Sequence, residues 1–149
     1  MKQILPILIL ILLSNNAISL TVEDLKNTPA SKYDLVVLRM RTMALEATLH
    51  IKGKRPEKYR QFEIRDSMIT EENGKIYVVT KISGPAKDIS QDMCNYLKEY
   101  FVERSALDIF KKEALSGLTS EEFKTMSELI YPGIELIATE NPDLKINCR

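Results

Sequence analysis

The sequence predicts an α+β domain, with a long helix and two or three shorter ones packed against a small antiparallel sheet built on a β-hairpin. Three observations predict it. Asn73-Gly74 separates two strand-like runs, and this dipeptide suits the positive-φ pair of a type I′ turn. Residues 35–51 contain no proline or glycine and are rich in Leu, Met, Ala, Arg and Glu, which are good helix formers. Past Gly84-Pro85 the apolar spacing changes from two residues to about 3.6.

The chain begins with Met1-Lys2-Gln3 and the aliphatic run 4–13, interrupted only by Pro6, and then Ala17-Ile18-Ser19. A lysine, a short apolar stretch and an Ala-x-Ser junction predict a secretory signal cleaved after residue 19, leaving residues 20–149 as one α+β domain. Ten residues fall short of the roughly 20 that cross a bilayer, so no transmembrane span is expected in the mature chain. Removing residues 1–19 takes away Lys2 alone and leaves a net charge of −1. A near-neutral domain gives no electrostatic reason to expect nucleic acid as a partner. The expected location is periplasmic or secreted.

Residues 21–29 read as a polar lead-in. Ser31-x-x-Asp34 then has the pattern of a helix start, a hydroxyl cap with a carboxylate three residues on. In the helix that follows, Val36, Met40, Met43, Ala44, Ala47 and Ile51 form one apolar stripe, and Leu38, Leu45 and Leu49 form a second. Two apolar faces mean either a helix sandwiched between layers or one with a face kept for a partner. The commoner arrangement places Val36 and Met40 on the sheet and the three leucines under the later helices. Gly53 and Pro56 stop the helix. Lys52, Lys54, Arg55, Lys58 and Arg60 make the one notable basic cluster, either a solvated loop or a site for phosphates, lipid head groups or an acidic protein surface.

Residues 59–69 are the expected first hairpin strand and residues 75–83 the second, apolar on both faces. The next helix carries Ala86, Ile89, Met93, Tyr96, Leu97 and Tyr100 on one face, with Cys94 at its edge. Residues 105–116 form another, closed by Gly117, and Thr119-x-x-Glu122 opens a third. Tyr131-Pro132-Gly133 reads as a turn, residues 134–139 as a short strand, and residues 144–148 as a final extended piece. The five glycines all fall at these proposed boundaries. The layout alone is similar to cystatin-like and NTF2-like folds, which also lay a long helix across a sheet; it implies no function.

Cys94 and Cys148 are the two cysteines, and in an oxidising compartment one intramolecular bridge is possible. Two free thiols or an intermolecular link remain the other readings. A bridge closing this loop contributes roughly 4 kcal/mol by chain entropy.

Catalytic residue types are sparse. His50, the single histidine, lies one helical turn after Glu46, and nucleophile-elbow, zinc-protease, phosphate-loop and Cys-x-x-Cys motifs are absent. One histidine and two cysteines give too few soft ligands for zinc, so no metal or cofactor is expected. Glu63, Asp66, Glu71 and Glu72 around the hairpin are the material for a carboxylate-dependent hydrolase, the least favoured function. The favoured expectation is a small exported, non-enzymatic protein-binding module of the inhibitor, immunity or chaperone kind. Its candidate partner-binding residues are Leu38, Leu45, Leu49, Lys52, Lys54, Arg55, Lys58 and Arg60, facing a protein of the cell envelope. The alternative is a carrier of a small apolar or lipid ligand, with Met40, Met43, Met93 and Met126 lining a pocket between the long helix and the hairpin and the basic loop receiving a head group.

Overall fold

A computed structural model describes residues 21–27, 31–103 and 106–149; the proposed signal segment lies outside them. Thr21 begins a helix where a lead-in was expected: its hydroxyl and the Asp24 carboxylate cap each other reciprocally, starting α1 (Val22–Lys26). Leu25 of α1 is buried in the core. Ser31 accepts from the Asp34 amide and starts α2 (Lys32–Ile51), which runs without a break.

The hairpin forms as the Asn-Gly pair predicts. Asn73 and Gly74 both take positive φ between β1 (Glu63–Glu72) and β2 (Lys75–Gly84). A bulge between Ile64 and Asp66 shifts the register of β1. Gly84 ends β2 flat against Phe62: a Cβ there would overlap the Phe62 ring. A 3₁₀ turn (Ala86–Asp88) separates β2 from α3 (Gln91–Glu103), so the expected single helix from Ala86 is two elements. Then come α4 (Ala106–Ala114) and α5 (Ser120–Ser127), the latter opened by the Thr119–Glu122 capping box.

The chain returns as β3 (Ile130–Ala138), which pairs parallel to β2, and ends in β4 (Lys145–Cys148), antiparallel to β3. Strand order is β1-β2-β3-β4. The domain is α+β and mostly antiparallel, but its central pair is parallel because three helices intervene between β2 and β3. Tyr131-Pro132-Gly133 lies inside β3 and is not a turn. β4 pairs only from Ile134 onward, so residues 130–133 lie on an open edge where proline is tolerated. Gly133 fits there because a Cβ would press on Val79.

Alternation along the strands turns Ile76, Val78, Thr80 and Ile82 toward the helices, together with Ile130, Ile134 and Leu136. Two separate cores result. One gathers Leu25, Val36, Met40, Ala44, Ile69, Ile76, Met126 and Ile130 under α1, α2, α4 and α5. The other gathers Phe62, Ile82, Cys94, Leu97, Ile134, Leu136 and Cys148 under α3. On the opposite face of the sheet Tyr77 and Tyr131 stand beside each other, with Arg149 over Tyr77 and Lys75 over Tyr131.

Candidate functional site

The inner stripe of α2 packs as its spacing predicts. Val36, Met40 and Ala44 are buried, while Ala47 and Ile51 are half-buried further along. Val37 and Tyr33 join the buried set from its margin. The second stripe is not under the later helices, which reverses the commoner arrangement. Leu38, Leu45 and Leu49 are 60%, 68% and 82% exposed, and Leu35 beside them is 56% exposed. The reason lies in where α4 docks. It rests against the sheet and one flank of α2, where Arg39 donates to the carbonyls of Ala114 (3.1 Å) and Ser116 (2.7 Å), and the outer face is left without a layer among the described residues. At 100° per residue the leucine row lies opposite Ala47. From Leu35 to Leu49 it runs about 21 Å.

The charges flanking the row have structural partners. Arg41 donates to Glu71 Oε1 at 2.9 Å, and the Tyr33 hydroxyl donates to Glu71 Oε2 at 2.8 Å. Burial, and then this hydrogen bond, push the Tyr33 phenol well above its ordinary range, so it stays a donor. Beyond Leu49 the basic loop is exposed at Lys52, Lys54, Arg55, Lys58 and Arg60. Its backbone is tied to β1, since the Gly53 amide donates to the Ile64 carbonyl and the Ile64 amide to that of Lys54, both at 2.8 Å. Arg55 bridges the Arg60 carbonyl and Glu63. Lys58 lies over the Tyr59 ring. The fold therefore sets this loop at the C-terminal end of the leucine row, where cations also suit the helix dipole.

Between the two cores lies a pocket of about 270 Å³. Ala47 and Ile51 of α2, Phe101 and Val102 of α3, and Ala106, Leu107 and Phe110 of α4 form its walls. Ile64, Ser67, Val78, Thr80, Pro132, Gly133 and Ile134 form its floor on the sheet, and Lys98 completes the lining. Exposed Val102 and Ala106 mark its mouth. The methionines singled out by the sequence are elsewhere: Met40 and Met126 are buried in the first core, Met43 packs against it, and Met93 packs against the second. The basic loop residues are not in the lining either.

The four hairpin carboxylates are dispersed. Glu63 meets Arg65 (3.0 Å) and Arg55 (3.6 Å), Asp66 faces Lys81 (3.9 Å), Glu71 holds Arg41, and Glu72 meets Arg149 (3.1 Å). Adjacent Glu71 and Glu72 point to opposite faces of the strand, so each carboxylate is matched to a cation instead of to a second acid. His50 is exposed on α2. Cys94 and Cys148 are both buried, with sulfurs at a bonding distance of 2.12 Å. Among the described residues no group of three His, Cys, Asp or Glu side chains is placed to hold a metal ion, and no helix is long and apolar enough to cross a membrane.

Fold and site together define a two-layer α+β domain with a clustered cysteine pair, an apolar helix face and an apolar pocket. No known protein family, curated protein or solved structure matches the chain.

Proposed function

We propose that the chain is an exported, non-enzymatic protein-binding module that presents the outer face of α2 to a partner in the cell envelope, as small inhibitors, immunity proteins and assembly chaperones do. The observation that carries this reading is the row Leu35, Leu38, Leu45 and Leu49, each more than half exposed on a helix whose other face is already used by the core. Isolated surface leucines are ordinary, whereas four on one helical face form the anchor pattern of a helix laid in a groove. The partner that fits is a protein with an apolar groove and an acidic margin, because the row ends at five exposed cations. A membrane surface fits less well. Interfacial helices carry a Lys- and Arg-rich polar face, and here Asp34 and Glu46 are exposed on the helix while Arg39 and Arg41 are bound elsewhere.

A photo-crosslinking residue at Leu45, with a second at exposed Ile109 of α4 as control, tests the proposal in the native cell envelope. The expected result is one protein crosslinked from position 45 and not from 109, and lost when Leu35, Leu38 and Leu49 are all serine. That triple variant should keep its melting temperature, since exposed positions change stability little. Equal crosslinking from both positions, or unfolding of the triple variant, would overturn the proposal.

A further inference from the structure

The pocket between the cores lies on the inner side of α2, away from the leucine row, and its chemistry is more specific than apolarity alone. Val78, Phe101, Leu107 and Phe110 give it hydrocarbon and aromatic walls. Ser67 and Thr80 are register partners on β1 and β2 and place two hydroxyls on the floor. Lys98 is the charged residue among the described lining residues. It is half-buried, and its ammonium lies at an exposed position 3.5 Å from the main-chain oxygen of Arg149, a long contact. A lysine stem that lines apolar walls while its ammonium stays exposed can offer that charge to an anionic head group, and a recess of about 270 Å³ is near the lower end of small-molecule sites. That size suits one hydrocarbon chain.

We infer that this pocket binds a single-chain amphiphile with an anionic head, a fatty carboxylate in the simplest case. The chain lies against Phe101, Leu107 and Phe110, and the carboxylate pairs with Lys98. This site is independent of the protein-binding face, and it moves the head-group contact from the basic loop to α3.

Calorimetric titration of the oxidised mature protein with dodecanoate, dodecanol and dodecylammonium tests the assignment. Dodecanoate should bind one to one and most tightly. Lys98→Met should weaken dodecanoate by about tenfold or more, the size of one lost charge contact, and leave dodecanol nearly unchanged. Methyl resonances of Leu107 and Ile134 should shift on binding while those of Leu45 and Leu49 stay fixed. The assignment falls if the wild type takes up none of the three, if dodecylammonium binds as tightly as dodecanoate, or if Lys98→Met binds dodecanoate like the wild type. It also falls if the shifts appear on the outer leucines, whereas a failed crosslink from position 45 would leave it standing.

Discussion

Glu122 shows how much one side chain can do in this fold. Its carboxylate accepts from the Thr119 amide at 3.0 Å, closing the cap of α5, and is bonded to Lys32 at the start of α2. The Lys32 contact first, and the Thr119 backbone second, hold its pKa below the ordinary 4.5. A carboxyl that is easier to ionise folded than unfolded stabilises the fold above the ordinary value and loses that contribution as pH falls through the folded one. Glu122→Gln should therefore flatten the decline of stability on acidification. Urea midpoints measured from about pH 6 to about pH 3 should converge for variant and wild type at the acid end. An unchanged acid slope would show that the ion pair contributes nothing, as exposed pairs often do.

At the scale of elements, α2 is attached to the sheet by polar ties as well as by its buried stripe. Thr48 Oγ1 accepts from the Ser67 amide at 2.9 Å, satisfying the backbone of an edge strand from a helix. Thr48→Val keeps the shape and removes the acceptor, so it should cost about 1–3 kcal/mol in chemical denaturation. A smaller loss would mean that water takes over the bond. The helices, the hairpin and their caps were legible because each depends on local chemistry: Ser31, Thr119 and Asn73-Gly74 act where they stand. The direction of β3 was not, since Pro132 and Gly133 carry turn chemistry and only the neighbouring strands make them part of a ladder. Nor did the sequence decide which leucines are covered, because that depends on where α4 docks. The pocket was anticipated between the helix and the hairpin, but its lining was assigned to methionines that fill the cores. Phe110 shares an apolar helix face with Ala106, Leu107 and Ala114, but that spacing does not distinguish pocket lining from core, and nothing marked Phe101 or Lys98.

Across the whole molecule, two cores share one sheet, and the cysteine pair belongs to the one under α3. It fastens that helix to the last strand over 54 residues of chain. Replacing both cysteines by alanine should lower stability by roughly 4 kcal/mol, a large part of what a domain of this size has, measured by urea unfolding against the oxidised wild type. A loss below about 1 kcal/mol would mean that packing around α3 suffices without the bond. The parallel central pair has a kinetic consequence. The hairpin closes across Asn73-Gly74 on a microsecond scale, but Ile76 meets Ile130 only after three helices have been threaded between them. Loop-closure entropy is spent before that ladder returns anything, so the arrival of β3 is the step expected to limit the rate of folding. Until then the Val78 edge of the hairpin stays unpaired, and this is the period in which the chain is most open to aggregation.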